Sequence, residues 1–322
     1  MRKYNLPIFI PHRGCPHDCV FCNQRKITGV DTDITADAVR DMIAEFLNTI
    51  DVENSTVEVA FFGGSFTGLE LETQEAFLKV ANEFGAGIDG IRLSTRPDYI
   101  NREILDLLKK YNVTTVELGV QSSDDGVLHL NNRGHSFRDV VKASKLIREY
   151  GISLGHQMML GMYGSDADKD WQTVQDIIRL KPDCVRIYPV LVLKGTALEE
   201  LYNRGEYTPL EVMAAAELSK RAAEAFRGCG INVIRMGLHA SEDLETEGNI
   251  VAGPYHQAFG ELVESLIYRD RLSHKFTMDS VRDCDYEYVC HKGEVSKVIG
   301  HKKMNVEYFA KKFNVRLKVR ER

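Results

Sequence analysis

The sequence predicts an α/β fold: a partial (β/α)6 TIM-like barrel with a small C-terminal α+β extension. Three observations predict it. From residue 6 to about 190, strand-like and helix-like patterns alternate, as parallel βα units do. Each strand-like run is followed by a polar or glycine-bearing loop, the arrangement expected when chemistry sits at one end of a barrel. The 322 residues are 43% hydrophobic and 27% charged, the balance of a globular protein with an ordinary core.

The elements follow in order. Residues 8–10 are a short apolar strand. Thr35 caps a helix whose Val39, Met42, Ile43, Phe46, Leu47 and Ile50 share one face, with Ile34 and Val39 placed as a hydrophobic staple. Residues 56–62 form the second strand, backed by helix 72–84, and 90–94 the third, backed by helix 101–111. The fourth strand is 114–120; Ser136 then opens a helix with Asp139 as its capping-box acid. Residues 152–160, helix 170–180 and strand 183–188 complete six strand-led units. Helices 208–228 and 255–271, with strand-like 231–236 between them, extend or flank the barrel. This divides the chain into a barrel over 1–240, a helical extension over 241–291 and a basic segment over 292–322.

No apolar run approaches the length of a membrane span, and the run 6–10 is broken by Pro7 and stopped by Pro11, unlike a signal peptide. A cytoplasmic location is expected. Seven cysteines in a chain of this length do not make a disulfide framework. Cys184, Cys229, Cys284 and Cys290 are scattered and read as free thiols, although Cys284 and Cys290 could also begin a second cluster. The net charge of −6 is unevenly spread: residues 292–322 carry ten Lys or Arg against three Glu, a surplus of +7 that leaves −13 for the rest. Such asymmetry suggests polyanion contact by the tail, or simply a solvated chain end.

The chemistry concentrates in Gly14-Cys15-Pro16-His17-Asp18-Cys19-Val20-Phe21-Cys22-Asn23. Cys15, Cys19 and Cys22 can hold three irons of a [4Fe–4S] cube and leave the fourth open to a small molecule. A Cys3His zinc site completed by His17 is the rival. The other strand-end loops are Gly63-Gly64-Ser65, Ser94-Thr95-Arg96-Pro97-Asp98, Gln121-Ser122, Gly161-Met162-Tyr163-Gly164 and Tyr188-Pro189. Singly, each reads as an ordinary turn. Together they share one end of the predicted barrel with the three-cysteine loop.

The C-x3-C-x2-C spacing with Phe21 resembles the signature of the radical S-adenosylmethionine (SAM) superfamily, and Phe61-Phe62-Gly63-Gly64-Ser65-Phe66 resembles its Gly-Gly-Glu loop with Ser in place of the acid. Ser94-Thr95-Arg96-Pro97-Asp98-Tyr99 looks like a ribose-side motif and Leu118-Gly119-Val120-Gln121-Ser122 like the fourth-strand motif. Within the superfamily the chain is similar to the catalytic subunits of elongator, through Thr95–Tyr99, Asn132-Arg133-Gly134-His135, His156-Gln157-Met158-Met159 and residues 187–196. Oxygen-independent coproporphyrinogen oxidases are more distant. The resemblance implies a [4Fe–4S] cluster on Cys15, Cys19 and Cys22, SAM as cofactor, reductive cleavage to a 5′-deoxyadenosyl radical, and an external low-potential reductant of the flavodoxin or ferredoxin type.

It further implies SAM contacts from Gly63, Gly64, Ser65, Thr95, Arg96 and Gln121. Arg133 is placed for the SAM carboxylate, and Phe21, Met159 and Tyr188 beside the adenine. The residues after the barrel are too few for an acetyltransferase domain and the long N-terminal extension is missing, so elongator-type use of acetyl-CoA is not expected. Residues 298–309 and 315–319 resemble the core of a KH-type RNA-binding domain, with Lys303 replacing the second Gly of its G-x-x-G loop. RNA or tRNA is therefore the expected substrate class and partner of the tail. The alternative is a non-enzymatic zinc-bearing RNA-binding protein using Cys15, His17, Cys19 and Cys22.

Overall fold

The computed structural model describes residues 2–10, 15, 18–23, 34–238, 242–246 and 248–322, with 242 and 243 as backbone only. Its centre is a seven-stranded parallel sheet. The strands are β1 (Arg2–Ile10), β2 (Ser55–Gly63), β3 (Gly90–Thr95), β4 (Val113–Gln121), β5 (Ser153–Leu160), β6 (Cys184–Pro189) and β8 (Asn232–Met236), paired in that order. β7 (Val192–Leu193) and β9 (Ile250–Ala252) form a separate antiparallel pair. Parallel neighbours need crossovers, and six helices supply them: Ala36–Asn48, Leu71–Glu83, Arg102–Lys110, Phe137–Glu149, Ala167–Leu180 and Val212–Gly228. β1 and β8 are not hydrogen-bonded to each other, so the sheet is a barrel left open on one side. The stretch 231–236 extends this sheet as a seventh strand.

Local chemistry sets the helix starts. The Thr35 hydroxyl accepts from Ala38 N at 3.2 Å. Asp139 accepts from the Ser136 N–H at 2.9 Å and from its hydroxyl at 2.7 Å, which satisfies donors a helix N-terminus leaves orphaned. The outward sides of the strands pack on the helices through Ile8, Phe61, Leu93, Leu118, Leu154 and Ile187, all buried. Alternate residues therefore face the bore of the half-barrel.

Two helices differ from expectation at their ends. The one expected from 208 begins at Val212, past Pro209, and the one expected over 255–271 runs Phe259–Met278. The second is longer because Leu272 and Phe276 bury into another core. That core is made with β10 (Cys284–Cys290), helices Val295–Ile299 and Met304–Phe313, and β11 (Val315–Glu321). β10 and β11 pair in parallel, and the Phe276 ring meets Phe309 at 5.1 Å and Phe313 at 5.6 Å. The helix bearing Val306 and Phe309 and the alternating strand after it form as the tail's sequence suggested. Cys284 and Cys290 lie at opposite ends of β10, about 20 Å apart at 3.3 Å per residue, so they do not share a second cluster. Among the described residues no helix is long and apolar enough to cross a membrane.

Candidate active site

The C-terminal ends of the parallel strands open into a cavity of about 590 Å³. Its wall contains Cys15, Cys19, Cys22 and Phe21, then Gly63, Gly64 and Ser65 after β2, and Thr95 and Arg96 after β3. Gln121 ends β4, Arg133 follows it, Met159 lies on β5 and Tyr188 on β6. All thirteen residues singled out from the sequence thus line one space.

The cysteine segment is docked by backbone bonds. Val20 N donates to Asn131 O at 3.3 Å, Leu198 N to Val20 O at 2.8 Å, and Asn132 Nδ2 to Asp18 O at 2.9 Å. Val20 and Phe21 pack among Val127, Met159, Met162 and Val192. None of the three cysteines is in a disulfide. Burial raises the Cys15 thiol above its ordinary value, against the pull of Arg133. Among the described residues no three Cys, His, Asp or Glu side chains form a group that could hold a metal ion. His17, needed for the zinc alternative, lies outside the described residues.

Arg133 ties the loop to the sheet. One guanidinium nitrogen donates to Cys19 Sγ at 3.3 Å and another to Gly119 O at 3.0 Å. A Cβ on Gly119 would come within 3.2 Å of that guanidinium and 3.0 Å of the Gln121 amide, so a side chain there would crowd both. Gly63 has φ +105°, and a Cβ on it would stand 2.8 Å from Ile10 O. This close approach lets Gly64 N donate to Ile10 O at 2.8 Å and presents the loop backbone to the cavity. Behind it, Thr95 Oγ1 bonds the hydroxyls of Ser65 at 2.8 Å and Thr67 at 2.6 Å. The Arg96 N–H donates to Ser65 Oγ at 3.2 Å, while its guanidinium forks onto Asp98 at 3.0 and 2.9 Å.

Among the described residues, two polar atoms of this wall are buried without a partner: Arg133 Nε and Gln121 Oε1. Buried polar groups are normally satisfied, so an orphan donor and an orphan acceptor on one cavity mark places where a ligand's polar groups would bond. The three thiols alongside are the donor set of a [4Fe–4S] cluster, although they are not gathered into one ligand group here, and the orphan atoms suit the polar groups of SAM. The neighbouring His135 is held neutral, its pKa lowered to about 3 by burial and by Arg133 and Arg96.

Below the cysteine loop, the bore holds a charged network that the sequence reading missed. Arg92 donates to Glu58 at 3.1 and 3.0 Å and to Glu117 at 2.8 Å. Arg186 donates to Glu117 at 2.5 and 3.0 Å, and Gln157 Nε2 joins Glu117 to Ser94. Burial would raise the Glu117 carboxyl; the bonds from Arg186, Arg92 and Gln157 outweigh it and hold it below its ordinary value. Tyr188 is pushed up by burial and accepts from Arg186. The legible signal was period two: polar residues at every second position of otherwise apolar strands. By the same alternation His156, part of a quoted motif, points away from the bore and bonds Ser144 at 2.9 Å.

Comparison with known proteins agrees with this geometry. The profile of the radical SAM superfamily matches residues 9–177, and that of the radical SAM C-terminal domain matches 182–269. A tRNA uridine(34) acetyltransferase of Methanocaldococcus jannaschii is 32% identical over 196 residues, covering 54% of this chain and 36% of the relative. Elongator complex protein 3 of Saccharomyces cerevisiae is 31% identical over 187 residues, 51% of this chain and 34% of the relative. The chain thus spans only about a third of the length of these relatives. The archaeal Methanocaldococcus infernus Elp3 with an N-terminal deletion superposes with a TM-score of 0.65 at 25% identity, covering 84% of this chain and 63% of that one. Fold, site and comparisons converge, and the chain belongs to the radical SAM superfamily.

Proposed function

We propose that this protein is a radical SAM enzyme acting on tRNA. The observation that carries the reading is the single cavity lined by Cys15, Cys19, Cys22, the Gly63–Ser65 loop, Gln121 and Arg133. The tRNA part rests on the names of its relatives, a tRNA uridine(34) acetyltransferase among them.

Cys15, Cys19 and Cys22 would each hold one iron of a [4Fe–4S] cluster. When bound, cluster and SAM supply an electron and a 5′-deoxyadenosyl radical that takes hydrogen from substrate. The protein's part is to bind, orient and shield. The Gly64 backbone would serve the methionyl amino group and Arg133 Nε the carboxylate, while another Arg133 nitrogen donates to Cys19. Gln121 Oε1 would accept from the cofactor, the hydroxyls of Ser65 and Thr95 would serve the ribose side, and Phe21, Met159 and Tyr188 would flank the adenine. Arg96 acts through its backbone, because Asp98 occupies its guanidinium. An external flavodoxin- or ferredoxin-type protein would deliver the electron, and a tRNA substrate would place the enzyme in the cytoplasm.

The C-terminal unit would contribute a second RNA contact. Arg316, Lys318 and Arg320 on β11 face Asp285 and Glu287 on β10, so much of the tail's positive charge is neutralised internally. The turn between the two short helices is different. His301, Lys302 and Lys303 are exposed there, with the two lysines at φ +49° and +65°, and no carboxylate salt bridge holds either lysine among the described residues.

The test is anaerobic reconstitution. The wild type should take up about four irons and four sulfides per chain and release 5′-deoxyadenosine with dithionite and SAM; Cys19→Ala should abolish the release. A chain that holds the cluster yet makes no 5′-deoxyadenosine under any reducing condition is not this enzyme. Total tRNA from cells with and without the gene should differ in one modified nucleoside, and identical profiles would remove tRNA as substrate.

A further inference from the structure

Arg235 on β8 is the register partner of Arg186 on β6, and both side chains line the central cavity. Two like charges side by side on adjacent strands repel. Arg186 is neutralised by Glu117, but Glu117 is shared with Arg92, whose other partner is Glu58. Three guanidinium groups thus meet two carboxylates. Arg235 is the surplus: among the described residues it makes no salt bridge, and its hydrogen bond is from Nε to Gly237 O at 3.3 Å.

Its distance from the cofactor end follows from the sheet. Arg235 pairs with Arg186, Arg186 with Gln157, and Gln157 with Gly119, the residue on which Arg133 rests. Three strand spacings of about 4.8 Å put Arg235 roughly 14 Å from that anchor. An anion held at Arg235 would thus be centred three strands away from the SAM carboxylate assigned to Arg133. Asn5 on the opposite edge strand and Leu238 also line the cavity, so the site mixes polar and apolar surface as substrate pockets do.

We propose that Arg235, with Arg186 beside it, forms a subsite for an oxyanion of the substrate. The guanidinium fork matches a phosphate or a carboxylate by paired N–H donors. Resting on the tRNA reading above, the oxyanion is a phosphate of the nucleotide drawn into the bore.

The experiment uses reconstituted, SAM-loaded enzyme and calorimetric titration with inorganic phosphate, uridine 5′-monophosphate, uridine and succinate. Wild type should bind the monophosphate more tightly than uridine. Arg235→Gln should weaken the monophosphate by about tenfold or more, the size of a lost charge-assisted bond, and leave uridine unchanged. Arg235→Lys should restore part of the loss and controls for folding, read by circular dichroism. Equal monophosphate binding by wild type and Arg235→Gln overturns the subsite, and so does a tenfold loss of SAM affinity in that variant. If succinate binding depends on Arg235 while neither phosphate probe binds, the subsite stands and the tRNA reading falls.

Discussion

Removing the charge of Glu117 should make the protein less stable and its cavity more receptive to anions. Glu117 is 1% exposed and holds Arg92 and Arg186, which are 13% and 11% exposed. Glu117→Gln keeps the shape and one carbonyl acceptor but leaves two buried guanidinium groups with one remaining carboxylate, Glu58. Breaking a buried pair by deleting one partner costs about 3–5 kcal/mol. Glu58 still serves Arg92, so the lower end, about 3 kcal/mol, is expected. For a chain of this size that is a fall in melting temperature of roughly 4–5 °C, read by circular dichroism at pH 7. The pH dependence carries the sign. Glu117 is depressed in the folded state, below its ordinary 4.5, so its contribution is complete above that value and is lost as pH falls through the folded one. The gap between wild type and variant should therefore be full at pH 7 and narrow below about pH 4.5. The freed Arg186 should meanwhile tighten uridine 5′-monophosphate binding. A loss under 2 °C, or a gap that widens as pH falls, would refute the network as drawn.

Other outcomes follow from the same geometry. Gly63→Ala must place a Cβ 2.8 Å from Ile10 O at φ +105°; it should lower SAM affinity tenfold or more in equilibrium binding while iron content holds. Gly85→Ala, at φ +49° with open space around it, gives the strain of about 1–3 kcal/mol alone with SAM binding intact. Phe276→Ala removes the ring shared by Phe309, Phe313 and Tyr286, and should destabilise the C-terminal unit by about 3–5 kcal/mol. Hydrogen exchange would then rise in β10 and β11 while β3 to β6 stay protected. Charge reversal at both Lys302 and Lys303 should weaken tRNA binding and flatten its salt dependence, each lost phosphate contact reducing the log–log slope by about 0.7–0.9; an unchanged slope removes this turn from the interface. Point changes test the tail better than its deletion, because Phe309, Phe313 and Val315 are core residues.

What the sequence disclosed and what it hid divide along a physical line. The strand-end loops were legible because their requirements are local: Gly63 must reach positive φ, Ser136 and Asp139 cap within one turn, and three thiols fall within eight residues. The bore was illegible because its partners meet only across strands. Glu58, Arg92, Glu117 and Arg186 are bonded across sequence separations of 25 to 69 residues, and each alone reads as an ordinary charged residue. Arg235 was hidden further by the register shift between Val185 and Arg186, which upsets simple alternation on β8. The charge of the tail was partly hidden for the same reason. Its surplus of +7 is real along the chain, but Asp285 and Glu287, which offset part of it, lie outside 292–322 on the partner strand.

The open side of the sheet connects fold to substrate. A closed eight-stranded barrel fills its interior with packed side chains, leaving only the loop end for ligands. Here seven strands stop short of closure. Both edge strands line the cavity, β1 through Asn5, Pro7 and Phe9, and β8 through Arg235. The proposed substrate would then have a route between the edges as well as past the cysteine loop, where cluster and SAM would sit. Lateral entry suits a polymer, since only one residue of it need leave the chain's path and project into the bore. Arg235 stands on the edge such a substrate would cross, and among the described residues its charge has no salt-bridge partner, as the proposed phosphate subsite requires. This ties the openness of the sheet and the surplus guanidinium to one requirement, and the titration of Arg235 variants tests both.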